Sequence, residues 1–99
     1  MEETLHMIIY DIEDNRIRYK IAEVCKDYGL DRIQLSVFAG MLAPEKRKKL
    51  FDDLKSKLGK ETFGRIILVP ICHKDIEKKL EIIEYGKSVK KEFFANPST

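Results

Sequence analysis

Two short segments of the chain carry apolar side chains at both odd and even positions, and they limit the possible folds more than any other feature. They are LHMIIYDI (Leu5–Ile12) and RIILVPI (Arg65–Ile71). Successive side chains of a strand point to opposite faces of a sheet, so this pattern predicts strands that are covered on both faces. Pro70 has no N–H group to donate, and we therefore expect the second strand to lie at a sheet edge or to end near that residue.

A helix is predicted directly after the first of these strands. Asp14 and Asn15 offer side chains that cap a helix, and Gly29 stands where a left-handed C-terminal cap would lie. One stripe of an amphipathic helix is formed between them by Ile17, Ile21, Val24, Cys25 and Tyr28. The spacing therefore predicts a helix that buries this stripe.

The middle of the chain predicts extended structure and then a second helix. Asp31–Leu42 alternates apolar and polar residues in its first part, and Gly40 marks a bend or bulge within or after it. Pro44 suits the first turn of a helix, and Gly59 suits its end. The buried stripe predicted for this helix consists of Leu50, Phe51, Leu54 and Leu58. After the last strand, Asp75–Leu80 predicts a short helical turn.

The order of these elements, β-α-β-(β)-α-β, predicts an α+β fold of the ferredoxin-like plait (βαββαβ) type. We expect one domain over residues 1–86, which includes a short extra C-terminal strand at Ile82–Tyr85, and a basic, mobile tail over residues 87–99. Two helices can cover only one face of the sheet. A second copy of the sheet is the simplest cover for the other face, so the pattern favours a homodimer with stacked sheets.

Composition and charge favour a globular protein but do not indicate what it binds. The 99 residues include 19 Lys and Arg against 17 Asp and Glu, and a net charge of +2 is too small to indicate nucleic-acid binding by itself. The basic run Lys46–Lys49 favours a solvated helix face. Cys25 and Cys72 lack the short spacing of metal ligands. No apolar run approaches the roughly 20 residues that span a bilayer, and the first residues lack a signal-peptide pattern, so we expect a cytoplasmic protein with no membrane partner.

Asp11 is the residue that the chemistry singles out, since the usual catalytic motifs (GxSxG, P-loop, HExxH, paired Cys-x-x-Cys) are absent. It ends a row of apolar residues of the same parity, Leu5, Met7 and Ile9. An ionised carboxylate there is costly unless it meets water, a cation or a metal. Composition alone favours a solvated carboxylate that caps the following turn. One carboxylate is a poor Mg²⁺ site, but two copies of Asp11 across a two-fold axis would form a better one.

Two blocks of the sequence resemble a known family. Tyr10–Gly40 contains Tyr-Asp-Ile at the end of the first strand, a basic helix, and Arg-Ile-Gln-Leu-Ser-Val-Phe at Arg32–Phe38. Ile67–Ile71 (ILVPI) matches the last core strand of the same family in character and place. Over nearly its whole length, the chain is thereby similar to the CRISPR-associated endoribonuclease family, the smaller of the two proteins widely shared by CRISPR adaptation systems.

The resemblance implies a metal site that two subunits share. Members of this family are ferredoxin-like homodimers with stacked sheets, and their metal-binding aspartate corresponds to Asp11, one from each subunit. This implies metal-assisted phosphodiester hydrolysis, with Mg²⁺ bridging the two copies of Asp11. The short C-terminal strand of one subunit commonly pairs with the sheet edge of its partner, and Ile82–Tyr85 would be that strand here.

The same resemblance implies further site residues. Positions linked in the family to nuclease activity match Tyr10, Arg18, Arg32 and Phe38. The predicted nucleic-acid-binding residues are Arg18, Lys20, Arg32, Lys46 and Arg47. Arg18 and Arg32 would hold phosphates, with surface salt bridging as an equal alternative. Phe38 is expected to pack at the dimer face instead of stacking on a base, and Tyr10 is likewise expected to pack. The chain departs from the family at Ala39, where many members have Glu, and at Lys20, where Arg is common and the fork geometry of a guanidinium is lost.

Two functions of different classes are implied. The first is a Mg²⁺-dependent endonuclease that acts on single-stranded RNA or duplex DNA, and that helps a CRISPR integrase to insert new spacers into the CRISPR array. The second is a non-catalytic dimeric scaffold that bridges copies of the integrase and binds the spacer DNA. A third interpretation, a ferredoxin-like domain for a small ligand or for regulation, lacks any supporting pocket motif.

Overall fold

A four-stranded antiparallel sheet with two helices packed on one face forms the architecture of the computed structural model, which describes residues 2–84. In chain order the elements are β1 (Thr4–Ile12), α1 (Asn15–Asp27), β2 (Asp31–Gln34), β3 (Val37–Leu42), α2 (Pro44–Leu58), β4 (Gly64–Ile71) and α3 (His73–Glu77). The strand order is β2-β3-β1-β4, with every neighbouring pair antiparallel. This is the order of the ferredoxin-like plait, so the predicted fold class is confirmed, and β4 is an edge strand as Pro70 indicated.

Helix α1 begins and ends where its capping residues predict. The Asp14 side chain accepts a hydrogen bond from the backbone N–H of Ile17 (2.9 Å), which satisfies one of the free donors at the helix start. At the other end Gly29 has a φ of +80°, and the N–H of Leu30 donates to the carbonyl of Cys25 (3.1 Å). This pattern is the Schellman motif, and it directs the buried Leu30 into the core at the start of β2.

The segment predicted as one extended stretch is a hairpin that turns earlier than expected. The chain reverses at Leu35 and Ser36, and a register shift leaves Ile33 as a bulge in β2. Gly40 marks neither bend nor bulge but lies inside β3, where a Cβ atom would stand 2.6 Å from Cδ2 of Leu30. The glycine is therefore explained by the close approach of Leu30, and its expected role as a bend was wrong.

Helix α2 follows its predicted bounds but buries a narrower stripe. Leu50 and Leu54 are fully buried and Leu58 is half-buried, as expected. Phe51, by contrast, is 42% exposed, so its assignment to the buried stripe was wrong. It neighbours Leu50 in sequence, and adjacent helical residues point about 100° apart, which turns Phe51 toward the rim of the packed face.

The C-terminal part of the described chain differs from expectation. The short helix α3 begins at His73 and ends at Glu77, earlier than the predicted Asp75–Leu80. Residues 81–84 have no regular secondary structure, so the strand predicted at Ile82–Tyr85 is not formed by the single chain, and Tyr85 lies outside the described residues. The tail predicted over residues 87–99 also lies outside them. None of the helices within residues 2–84 is long and apolar enough to cross a membrane.

The side chains of the central strand β1 alternate between a covered face of the sheet and an open face. Ile8, Tyr10 and Ile12 point toward the helices and are at most 4% exposed. The residues between them point away from the helices, and Ile9 is 38% exposed. The strand register places the following residues together on this open face: Leu5, Met7, Ile9, Asp11, Val37, Ala39, Met41, Arg65, Ile67, Val69 and Ile71. The two apolar faces predicted from the sequence are thus present, and one chain covers only one of them.

The two cysteines are expected to differ strongly in reactivity. Cys25 is fully buried in the core, and burial raises the pKa of its thiol to about 12, whereas Cys72 is exposed. Because the thiolate is the reactive form, a thiol reagent at neutral pH should label Cys72 promptly. Cys25 should react at least about 10³-fold more slowly, through transient opening of the core. A Cys72→Ser variant checks this: prompt labelling of its folded form would contradict the buried position of Cys25, and both thiols of the parent chain should react after unfolding.

Candidate functional site

The predicted site residues lie on opposite sides of the sheet. Tyr10 and Asp11 are neighbours at the end of β1, and strand geometry points them in opposite directions. Tyr10 faces the helices and is 4% exposed, whereas Asp11 faces away from them and is exposed. The structure therefore places the predicted metal ligand on the open face and the other matched residues on the helix side.

The carboxylate of Asp11 stands at the polar end of the open face. Its row on β1 is otherwise apolar, and Arg65 lies directly opposite it on β4. Neither Asp11 nor Arg65 has an ion-pair partner closer than 4 Å within residues 2–84, so the two residues do not pair with each other. The carboxylate is exposed, and a ligand that approaches the open face can reach its oxygens.

One chain offers a single carboxylate at this position. No group of three His, Cys, Asp or Glu residues within residues 2–84 is arranged to hold an ion. Mg²⁺ prefers six oxygen ligands, several of them water, and is usually bound by one or two carboxylates. Asp11 has the right donor chemistry but provides one carboxylate, so the residues fit Mg²⁺ only when a second carboxylate is brought to the same place.

On the helix side of the sheet, a cleft of about 330 Å³ gathers several of the other predicted residues. We call it the helix-side cleft, and it is lined by Tyr10, Asn15, Arg18, Tyr19, Ala22, Glu23, Lys26, Arg32 and Leu35. The Tyr10 hydroxyl donates a long hydrogen bond to the carbonyl of Leu35 (3.4 Å). The cleft thus spans from the end of β1, across α1, to the β2–β3 turn.

Arg18 is held at the end of β1 by two hydrogen bonds. Its Nη1 donates to the carbonyl of Ile12 (3.3 Å), and its Nη2 donates to Oδ1 of Asn15. The guanidinium is therefore fixed at the residue after Asp11, although on the helix side. Neither bond neutralises its positive charge, since both acceptors are uncharged.

Arg32 is positioned by aromatic packing. Its guanidinium carbon lies 5.0 Å from the ring centroid of Phe38, a cation–π distance. Phe38 is fully buried and stacks against Tyr10 with ring centroids 6.4 Å apart, so both rings pack as expected. The position expected for Phe38 at the dimer face was wrong, because its ring lies in the core on the helix side of the sheet. The Nε atom of Arg32 is enclosed and has no hydrogen-bond partner in the described part of the chain. Arg32 lines the cleft and has no ion-pair partner within residues 2–84, but its enclosed Nε is not accessible to a ligand.

The remaining predicted basic residues do not join this cluster. Lys20 is exposed on α1 and lines a neighbouring groove with Asn15, Arg16 and Tyr19. Lys46 and Arg47 lie at the start of α2, near the beginning of β1. At the spacing of residues in a strand, the beginning of β1 lies about 20 Å from Asp11.

Local contacts account for the positions of Lys46 and Arg47. Nη1 of Arg47 donates to Nε2 of the buried His6 (3.4 Å), and the Lys46 ammonium lies 6.0 Å from the ring of Tyr28. The Tyr28 hydroxyl donates to Asp53 (2.5 Å), and this carboxylate raises the pKa of Tyr28 to about 12. These contacts form a separate polar region at the far end of the sheet.

Three residues near the predicted site were missed by sequence reasoning. Arg65 lies opposite Asp11 through the β1–β4 register, which no local pattern specifies. Arg16 and Tyr19 lie on the outer face of α1, and Tyr19 lines both the helix-side cleft and the neighbouring groove. Helical spacing could have identified Arg16 and Tyr19. Together with Lys20 they stand at i, i+3 and i+4, and they therefore share a helix face.

Comparison with known proteins places this geometry in context. The family model described as CRISPR associated protein Cas2 matches residues 4–79. The chain is 36% identical over 78 residues to the CRISPR-associated endoribonuclease Cas2 of Desulforudis audaxviator, which covers 77% of this chain and 73% of that protein. It is 43% identical over 53 residues to a CRISPR-associated endonuclease Cas1/endonuclease Cas2 fusion of Thermoproteus tenax, which covers 50% of this chain and 20% of the fusion. Among solved structures, Cas2 of Streptococcus pyogenes shares the fold with a TM-score of 0.67 at 21% identity, over 81% of this chain and 99% of that one.

Proposed function

The chain belongs to the CRISPR associated protein Cas2 family, and on that premise we propose that it is a Mg²⁺-dependent endonuclease of CRISPR adaptation. Its substrate would be single-stranded RNA or duplex DNA, and its role would be to help insert new spacers into the CRISPR array. The relative from Desulforudis audaxviator is named an endoribonuclease, which supports the reaction class.

The observation that carries the proposal is the position of Asp11 on the open face. This face exposes apolar side chains such as Ile9, Met41 and Ile67, each between 38% and 46% exposed, and a monomer would leave them in water. Stacking the open face on that of a second copy would cover them and form a homodimer. In a two-fold arrangement, one Asp11 from each copy would approach the same site, which supplies the second carboxylate that the single chain lacks.

Each residue has a chemical role in this proposal. The two Asp11 carboxylates would hold the Mg²⁺, and when bound the ion supplies charge that polarises a phosphoryl oxygen and lowers the pKa of water. Arg18 and Arg32 would bind phosphates of the nucleic acid from the helix side, since neither forms an ion pair within residues 2–84. Phe38 and Tyr10 would position Arg32 through the packing described above. No described residue stands out as a general base.

A second candidate function is a dimeric scaffold that does no chemistry. It is favoured by a specific observation, namely that each chain contributes a single carboxylate at the site instead of a complete metal cluster. The Cas1/Cas2 fusion of Thermoproteus tenax supports a physical partnership with Cas1, which we propose as the integrase that this protein would bridge. Both functions require the dimer and basic surface residues, but only the nuclease requires the metal.

Metal dependence separates the two functions. Labelled single-stranded RNA and duplex DNA of the same sequence are incubated with the chain in Mg²⁺ and in EDTA, and spacer integration is measured in parallel with the partner integrase. The nuclease predicts cleavage of at least one substrate that EDTA abolishes. Integration with no cleavage of either substrate in Mg²⁺ would contradict the nuclease and support the scaffold.

A further inference from the structure

An exposed aromatic side chain lies between two clefts on the outer face of α1. Tyr19 is 66% exposed and points away from the buried stripe of the helix. It lines the helix-side cleft on one side, and on the other side it lines the groove that it shares with Asn15, Arg16 and Lys20. A flat ring is therefore presented to solvent at the ridge between two concave surfaces.

Four cations flank this ring, two on each side. Arg16 and Lys20 lie on the groove side, and Arg18 and Arg32 lie on the cleft side. The carboxylate of Glu23, which also lines the cleft, pairs with Lys26 (3.4 Å). None of the four flanking cations has an ion pair within residues 2–84. Positive charge that is not neutralised by the protein attracts a polyanion to both sides of Tyr19.

An aromatic face between cations matches the chemistry of single-stranded nucleic acid. Unpaired bases stack on exposed aromatic rings, and Lys and Arg on either side contact the phosphates that precede and follow the stacked base. In a duplex both faces of each base stack on adjacent bases, so a side chain cannot reach them. A duplex would therefore engage the cations of this surface but not the ring.

We propose that Tyr19 is a stacking platform for one unpaired base of single-stranded nucleic acid, with the flanking phosphates bound by Arg16 and Lys20 on one side and by Arg18 and Arg32 on the other. This inference rests on the proposed function, since it assumes a nucleic-acid substrate, and it narrows that substrate to the single-stranded class. It assigns Tyr19 and Arg16 to binding.

The test measures binding in EDTA, so that cleavage does not interfere. A short RNA that carries the fluorescent base 2-aminopurine is titrated with the parent chain and with Tyr19→Leu and Tyr19→Phe, as a single strand and as a matched duplex. Phe51→Leu on α2 is the control for loss of a partly exposed helical aromatic outside both clefts. We expect Tyr19→Leu to weaken single-strand binding roughly 5- to 150-fold, the range for loss of one stacked base, and to remove the fluorescence quenching that stacking produces. Tyr19→Phe and Phe51→Leu should bind as the parent does, and duplex binding should not respond to Tyr19→Leu.

The outcomes separate this inference from the proposed function. Single-strand affinity and quenching that are unchanged in Tyr19→Leu would overturn the stacking platform, even where the parent chain cleaves in an Mg²⁺-dependent way. An equal loss of duplex and single-strand binding would also overturn it, because the ring would then stabilise the local structure of the surface instead of stacking on an unpaired base. Tyr19-dependent single-strand binding by a chain that cleaves nothing would support the platform and contradict only the nuclease.

Discussion

Replacement of Asp11 by alanine is expected to lower Mg²⁺-dependent cleavage at least about 10²-fold, because it removes the carboxylate that each chain contributes to the proposed site. In a homodimer one substitution removes both carboxylates at once, which leaves the ion only water and the substrate as ligands. The fold should tolerate the change. Asp11 is exposed and makes no ion pair within residues 2–84, so we expect its effect on the free energy of unfolding to stay within about 0.5 kcal/mol.

Matched variants make the Asp11 measurement specific. Asp11→Asn keeps the size of the side chain and removes its charge, and Glu13→Gln makes the same charge change at an exposed carboxylate two residues further along. Initial rates on labelled RNA and DNA should fall in both Asp11 variants and remain at the parent level in Glu13→Gln. Parent-level cleavage by Asp11→Asn would show that the activity belongs to another nuclease in the preparation. Spacer integration that persists without cleavage would assign the adaptation role to the scaffold.

The parts of the fold that the sequence predicted are those decided by neighbouring residues. The caps of α1 depend on Asp14 and Gly29, which act within one turn of the helix, and both contacts are present. The apolar rows of β1 were readable because parity alone assigns a strand residue to a face. For the same reason parity predicted that Asp11 ends an apolar row, and the strand register agrees.

The parts that could not be predicted depend on contacts between distant residues. The reversal at Leu35 and Ser36 carries no Gly, Pro or Asn to mark a turn, so the alternating pattern ran through it. Arg65 meets Asp11 only through the register of β1 with β4. Gly40 was taken for a bend because a glycine in a strand has two explanations, and only the position of Leu30 identifies the close approach.

The matched site residues were predicted as one set but lie on two faces of the sheet. Tyr10 and Asp11 are adjacent in sequence, yet Tyr10 stacks against Phe38 on the helix side while Asp11 faces the open side. A catalytic role shared by all of them therefore requires a substrate that reaches around the end of β1. Arg18 lies at that end through its hydrogen bond to the carbonyl of Ile12, and it is the residue placed to connect the two sides.

Replacement of Ile9 by lysine is expected to separate the proposed dimer and to abolish cleavage with it. Ile9 lies on the central strand, between Val37 and Ile67 on the open face, and is 38% exposed in the single chain. A lysine there is hydrated in the monomer but would be buried opposite apolar side chains in the dimer, once from each copy. Burial of unpaired charge costs several kcal/mol, so the dissociation constant should rise roughly 10³-fold or more.

Sedimentation of Ile9→Lys, at a concentration where the parent chain is dimeric, measures this effect directly. Phe51→Lys places the same charge at a residue 42% exposed on α2, away from the open face, and should remain dimeric and active. The melting temperature of Ile9→Lys reports whether its monomer is folded. A folded Ile9→Lys chain that stays dimeric would show that the subunits do not meet through the open face. The two copies of Asp11 would then not be brought together by the interface. The same result would therefore also remove the structural basis for a shared Mg²⁺ site.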